Sequence, residues 1–238
     1  MKRRWVIADI HGHSLTLKAL VSDLIKPEPQ DELYFLGDYI DRGPDSRGVI
    51  DFIRYLGEGV CRVIPLKGNH EDMMVEIYDS AVKNKHGGLN ASCRYEYSSW
   101  VAMGARSTLE SFQVDSITDV PSSYIDWMRK LSNYTISGDV IMMHAGLNFR
   151  IEDPFADRQA MLWVREFEVI PESIGRRRLI HGHVPVCLDR ITNNVRNPEC
   201  LSIDLDNGIY LHGREGYGCL VALELNSMEL AVQRNLDD

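Results

Sequence analysis

Trp5-Val6-Ile7-Ala8 is followed at once by Asp9-Ile10-His11-Gly12-His13-Ser14. Four apolar residues running into polar, turn-forming chemistry read as a buried strand. Beyond them Leu15, Leu17, Leu20, Val21, Leu24 and Ile25 recur at helical spacing, with Ser14 as N-cap and Pro27 and Pro29 closing the helix. The unit then repeats. Residues 33–36 form a second strand, and Pro44, Asp45 and Ser46 open a helix carrying Val49, Ile50, Phe52, Ile53 and Leu56. Residues 60–66 form a third strand, and a helix after Asn69 presents Met73, Met74, Ile77 and Tyr78. Strand-helix alternation of this kind predicts an α/β fold with parallel crossovers. Functional residues in such sheets gather at the carboxyl ends of the strands. Asp9, Asp38 and Asn69 all stand there.

Outside this core the signals change. Residues 83–99 are polar and read as a surface loop, residues 100–112 as partly helical, and residues 121–131 as a helix bearing Ile125, Met128 and Leu131. The stretch 83–131 is therefore expected to be an insertion capping the rim of a single domain spanning 1–238. Residues 140–143 form a strand that ends in His144, and Leu179-Ile180 lead into His181 and His183. The tail from Cys187 onward is expected to build a second, mostly antiparallel sheet packed on the first.

The 238 residues suffice for one sizeable core. A net charge of −9 argues against non-specific binding to nucleic acid or anionic membranes. No run is long and apolar enough to span a bilayer, and the basic start at Lys2-Arg3-Arg4 lacks the apolar region of a signal peptide. Five cysteines without a Cys-x-x-Cys spacing fit reduced thiols in a cytoplasmic protein.

Four short blocks carry the chemistry: Asp9-Ile10-His11, Gly37-Asp38-Tyr39-Ile40-Asp41-Arg42-Gly43, Gly68-Asn69-His70-Glu71 and His181-Gly182-His183, with His144-Ala145-Gly146 before the last. Asp9 and His11, two apart at a strand end, fall on one face and can share a metal. A carboxylate at Asp38 can bridge two cations, and Asn69, His144 and His183 complete the second. Oxygen and imidazole donors without thiolate suit Mn, Fe or Zn. Two ions roughly 3.5–4 Å apart can deprotonate a bridging water and stabilise both oxygens of a displacement. Arg42 can hold phosphate oxygens bidentately, with Arg165 as the second cation. Asp41 and His70 form an acid pair in which the carboxylate charges the imidazole.

Taken singly, Asp-x-His and His-Gly-His are weak signals, and Asp38 and Asp41 could be turn formers. The five fixed residues of the Gly-Asp-x-x-Asp-Arg-Gly block arise by chance on the order of once in ten thousand chains this long. Gly-Asn-His follows about thirty residues later, in the order such a site needs. His13 and His181 flank ligands and could support them. His86, His212 and the Arg176-Arg177-Arg178 run are expected to be solvated or structural, and Trp127 to pack.

Together the blocks resemble the PPP-type metallophosphatases of the calcineurin-like metallophosphoesterase superfamily, most closely the small bacterial serine/threonine protein phosphatases. Trp100, Gly104, Thr108-Leu109, Ser111-Phe112, Trp163-Val164-Arg165, Val184-Pro185 and Ile203-Asp204 extend the resemblance over nearly the whole chain. It implies an αββα sandwich of two mixed sheets flanked by helices. It implies a first metal on Asp9, His11 and Asp38 and a second on Asp38, Asn69, His144 and His183, most commonly Mn²⁺. It also implies His70 with Asp41 as general acid, and phosphate on Arg42, Arg165 and Asn69. The substrate implied is a phosphoserine or phosphothreonine protein or peptide, with phosphotyrosine a further option, attacked directly by a metal-bridging hydroxide.

Two positions depart from the family pattern. Ala8 replaces the usual glycine, and Asn148-Phe149-Arg150 replaces a basic-Pro-Gly turn, altering one pocket wall. The alternative is a dinucleoside polyphosphate hydrolase of the same family, acting on diadenosine tetraphosphate. Those relatives tend to lack the acidic residue found at Asp41 and often carry Asp where Glu71 stands. A binding module that has lost its chemistry is disfavoured, since no ligand, acid or primary arginine is missing.

Overall fold

The computed structural model describes residues 2–83 and 91–237. Two sheets stack face to face. The first has the order β3-β2-β1-β8-β9, built from β1 (Arg4–Ile7), β2 (Glu32–Phe35), β3 (Arg62–Pro65), β8 (Cys219–Glu224) and β9 (Glu229–Arg234). The second has the order β4-β5-β6-β7, from β4 (Tyr134–Ser137), β5 (Val140–Met143), β6 (Arg178–His181) and β7 (Ser202–Asp204). β1, β2 and β3 are parallel, as are β5, β6 and β7, while β4, β8 and β9 run antiparallel to their neighbours.

Strand alternation divides the core into layers. Val6, Ala8, Tyr34 and Leu36 meet Val140, Met142, Ile180 and Ile203 between the sheets. Trp5, Ile7, Leu33 and Phe35 face outward onto α1 (Ser14–Ala19), α2 (Ser46–Gly57) and α3 (Asn69–Lys83). Ile141, Met143 and Leu179 pack on Met161 of α7 (Arg158–Trp163). The fold is thus the αββα sandwich of two mixed sheets that the resemblance implies.

Three expectations need correction. The tail does not form a second antiparallel sheet. Its first strand, β7, joins β6 in parallel, and β8 inserts beside β1 at the centre of the first sheet. Both faces of β8 are apolar, with Leu220 and Ala222 buried on one side and Val221 and Leu223 on the other, so it fits only where layers cover both sides. Residues 91–99 are not a loop but part of a helix, α4 (Ala91–Ala102), which docks on α3 through Trp100 and Tyr97. Its composition carries little amphipathic signal, so packing decides it. His86 lies outside the described residues.

The third correction concerns Ser14, which is not the N-cap of α1. His13 holds that position without a side-chain bond, and Ser14 Oγ instead donates to Asp45 Oδ2 at 2.6 Å. The N-terminal amides of Leu15 and Thr16 donate to the Asp237 carboxylate at 2.9 Å each, so the far end of the chain caps this helix. After Ala19 the helix widens into a π turn over Leu20–Ile25, which buries Leu20, Val21 and Ile25 while Leu24 stays exposed. Leu15 is likewise exposed.

α5 (Ala105–Phe112) packs on α2, and α6 (Ser122–Arg129) on α3. Trp100, Leu109, Phe112, Ile125 and Met128 join the outer core of the first sheet, so this stretch belongs to the helical layer and also reaches the rim. Asp237→Ala should lower the urea midpoint by the equivalent of about 1 kcal/mol, the usual value of a lost cap. An unchanged midpoint would show that the contact contributes nothing.

Candidate active site

The carboxyl ends of five parallel strands converge on one rim. Asp9 follows β1, Asp38 follows β2, Asn69 follows β3, His144 follows β5 and His183 follows β6. All but His183 are buried almost completely. The backbone there is strained. His11 (φ 46°), Asp38 (φ 50°), Asp41 (φ 72°), Arg42 (φ 70°) and His183 (φ 74°) all adopt left-handed conformations that non-glycine residues avoid. Such outliers concentrate where function requires a fixed geometry.

Glu71 holds these loops. Its carboxylate accepts the N–H groups of Asp38 (3.0 Å), Tyr39 (2.8 Å), Ile40 (3.3 Å) and Gly68 (3.0 Å). Burial, with Asp38 adding repulsion, pushes its carboxyl up to about 8. Gly37 lets the two loops touch. At its φ of 108°, a Cβ would stand 2.5 Å from the Gly68 nitrogen.

Asp38 lies at the centre of two donor groups that share it. His11, Asp38 and His70 form one, and Asp38, His144 and His183 the other, with ligand atoms in each within 4.8 Å of one another. A backbone carbonyl only accepts, so the contacts of His11 Nδ1 with Ile40 O (3.0 Å) and of His144 Nδ1 with Leu36 O (3.1 Å) place hydrogens on those nitrogens. Both Nε2 lone pairs then face the rim. His144 Nε2 lies 2.8 Å from Asn69 Oδ1 and 3.1 Å from His183 Nδ1, and Asn69 Oδ1 is 3.1 Å from that same His183 nitrogen. Burial opposes ionisation of Asp38, but His144, His70, His11 and His183 outweigh it and hold the carboxyl well below its ordinary value. Burial likewise lowers His11, His144 and His183, the last to about 3.

These residues fit divalent cations. Asp9 Oδ1 and His183 Nε2 are buried without any hydrogen-bond partner. Burial, then Asp206 and Asp38 nearby, drives the Asp9 carboxyl well above its usual range, a crowding that a bound cation relieves. Gly182 permits this approach, since a Cβ there would come 2.1 Å from Asp9 Oδ1. His183 N donates to Asp9 Oδ2 at 2.9 Å.

The structure brings His70 and Asp41 together. His70 Nδ1 donates to Asp41 Oδ2 at 2.6 Å, and its Nε2 faces Asp38 Oδ2 at 3.7 Å. Burial lowers His70, yet Asp38 and Asp41 together raise it above the ordinary imidazole value. Two residues with no role assigned from the sequence brace Asp41. Trp100 Nε1 donates to Oδ2 at 2.8 Å and Thr108 Oγ1 to Oδ1 at 2.5 Å. Arg42 stacks 3.9 Å above the ring of Tyr210, its Nη1 2.8 Å from His11 Nε2. Arg165 is exposed, and its charge adds to burial and His144 in depressing the His183 pKa.

Asp206 and Tyr210 were missed by sequence reasoning, which quoted Glu71 within its block but gave it no structural role. Asp206 is buried and pushed up to about 7 by burial, and no motif spacing marks it. The flanking histidines resolve as structural: His13 Nδ1 bonds Ile10 O at 2.9 Å, and His181 Nε2 meets Ser202 Oγ at 2.9 Å. His212 is exposed and Trp127 packs on Tyr39. Arg176 pairs with Glu172 at the surface, while Arg178 donates to Pro198 O.

Residues 2–213 match the calcineurin-like phosphoesterases. The chain belongs to that family. A symmetrical bis(5'-nucleosyl)-tetraphosphatase of Pectobacterium carotovorum is 27% identical over 173 residues, covering 71% of this chain and 50% of the relative. The chain thus spans about half the length of that curated relative. Among solved structures, a candidate diadenosine tetraphosphatase superposes with a TM-score of 0.61 at 15% identity, covering 100% of this chain and 95% of the other. A protein serine/threonine phosphatase from Saccharomyces cerevisiae gives 0.56 at 18% identity, covering 100% and 81%. At such identities the likeness concerns the fold. Among the described residues no helix is long and apolar enough to cross a membrane.

The bracing of Asp41 yields a prediction. Trp100→Phe leaves a buried acceptor short of a donor, costing about 1–3 kcal/mol, and loosens His70. Turnover should fall while metal content per chain stays that of the parent. Loss of metal together with activity would assign Trp100 to the metal loops instead.

Proposed function

We propose that this chain is a metal-dependent phosphohydrolase that cleaves dinucleoside polyphosphates, diadenosine tetraphosphate among them. The observation that carries this reading is the similarity to a symmetrical bis(5'-nucleosyl)-tetraphosphatase over 71% of the chain. Asp9, His11 and Asp38 would hold one divalent ion, and Asp38, Asn69, His144 and His183 a second; Mn²⁺ is the first choice, with Fe and Zn²⁺ compatible with the donors. When bound, the ions supply a hydroxide nucleophile at neutral pH and Lewis-acid stabilisation of phosphate oxygens. Arg42, held in place by Tyr210, and Arg165 would bind the non-reacting phosphate oxygens. A phosphorus–oxygen bond to water's oxygen forms, the anhydride bond breaks, and a nucleoside diphosphate departs. His70 delivers a proton from Nε2 toward the departing oxygen, with Asp41 stabilising the charged ring.

A second reading, hydrolysis of phosphoserine or phosphothreonine monoesters in proteins, is supported by that same acid pair. A diphosphate leaves as a stable anion near neutral pH, whereas a serine alkoxide must be protonated as it leaves. The His70–Asp41 bond of 2.6 Å, braced by Trp100 and Thr108, is worth more to the second reaction. Initial rates of metal-stripped protein with and without added Mn²⁺, on diadenosine tetraphosphate and on a phosphoserine peptide, separate the two. Faster Mn²⁺-dependent release of adenosine diphosphate supports the first reading, and preferential phosphate release from the peptide replaces it with the second. His70→Asn should cut peptide turnover by roughly 10²–10⁴-fold and dinucleotide turnover by much less. Equal losses on both substrates would sink this account of the acid.

A further inference from the structure

Beside the metal-ligand rim lies a cavity of about 760 Å³ between the loop after β5 and the segment that follows α7. Its aromatic wall is built from Phe149, Trp163 and Phe167, all partly exposed. Phe149 and Phe167 lie nearly parallel, 28° apart with ring centres 6.1 Å from each other. Trp163 stands edge-on to the ring of His183 at 6.2 Å, so the cavity begins one side chain away from a candidate metal ligand. Arg165, an exposed residue, comes two residues after Trp163. The loop wall is the Asn148-Phe149-Arg150 turn, where the chain departs from the pattern of its resemblance.

The wall chemistry selects the occupant. Glu166 and Glu168 outnumber Arg150 among the exposed charges at the cavity and disfavour a phosphate inside it. Carboxylates accept hydrogen bonds from exocyclic amines and ribose hydroxyls, and aromatic faces stack on bases. Asn148 is already engaged, its Nδ2 donating to Asp157 Oδ2 at 2.8 Å, whereas the Gln159 amide is exposed and offers both a donor and an acceptor. A pocket of this size suits one small-molecule moiety with a few fixed polar groups. We infer that this cavity is the nucleoside subsite of the substrate, taking one purine nucleoside while its phosphates extend past Arg165 to the metal-ligand rim. The inference deepens the dinucleotide reading and rests on it.

The test compares adenosine monophosphate with ribose 5-phosphate, which carries the same phosphate without the base. Both are titrated calorimetrically into full-length Mn²⁺-loaded protein in the slowed His70→Asn background. Adenosine monophosphate should bind at least tenfold more tightly. Adding Phe149→Leu, which keeps apolar bulk but removes the aromatic face, should shrink the difference to within twofold. Ala160→Phe, which fills the cavity from α7, should do the same, so a folding defect in either variant does not decide the matter. Equal affinities for the two ligands, or a difference that survives both variants, would overturn the subsite. So would a phosphopeptide whose affinity falls with Phe149→Leu while that of adenosine monophosphate does not. Diadenosine tetraphosphate hydrolysis by the parent protein is read separately. Its absence with the tenfold difference intact removes the dinucleotide reading, and its presence without the difference removes only the subsite.

Discussion

A single buried carboxylate, that of Glu71, accepts four backbone N–H groups from the loops after β2 and β3. Two strand-end loops, each carrying groups on which the site depends, are thereby fixed to one side chain on α3. The left-handed backbone at Asp38 and the close approach of Gly37 to Gly68 persist because this carboxylate satisfies amides that would otherwise be buried without partners. An Asp at this position would be shorter by one methylene, so the helix and loops would have to approach more closely to keep the same four bonds. The identity of this residue thus sets the loop geometry before any ligand is bound.

Around that scaffold the charges are arranged in opposition. Asp38 sits among four imidazoles and is held in its ionised form, while Asp9 and Asp206 crowd each other under burial and are pushed toward protonation. A protein that needed only stability would not gather such carboxylates in one buried rim, since unpaired buried charge costs several kcal/mol. Divalent cations reverse the sign of that interaction. The same rim holds the His70–Asp41 contact and the Arg42 guanidinium against Tyr210, the groups to which the proposed reading gives proton delivery and phosphate binding. The aromatic cavity beside Trp163 adjoins this rim, and the nucleoside subsite proposed above would seat the uncharged part of a substrate there.

Much of this was legible in the chain itself. Alternating apolar runs and helical periodicity over the first ninety residues specify the parallel half of the first sheet, because crossovers of that kind are local in sequence. The blocks around Asp9, Asp38, Asn69, His144 and His183 announce themselves because each follows a strand directly. What sequence could not reveal depends on long-range pairing. β8 enters the centre of the first sheet, more than two hundred residues from the β1 strand it joins, and its two-sided apolar pattern is compatible with any covered position. Ser14 has the chemistry of a cap, but Asp237 outcompetes it from the other end of the chain. Trp100 and Thr108 sit in helices of weak or ordinary pattern, and only the folded chain turns their polar atoms onto Asp41. Asp206 and Tyr210 belong to a tail without recognisable spacing.

The central claim is that Asp38 is shared between two metal positions. Equilibrium titration of metal-stripped protein with Mn²⁺, counting ions per chain, tests it directly. Two ions should bind the parent chain, and Asp38→Ala should bind neither tightly while retaining the parent's far-ultraviolet circular dichroism. A folded Asp38→Ala variant that still takes up two ions with parental affinity would contradict the shared-carboxylate site.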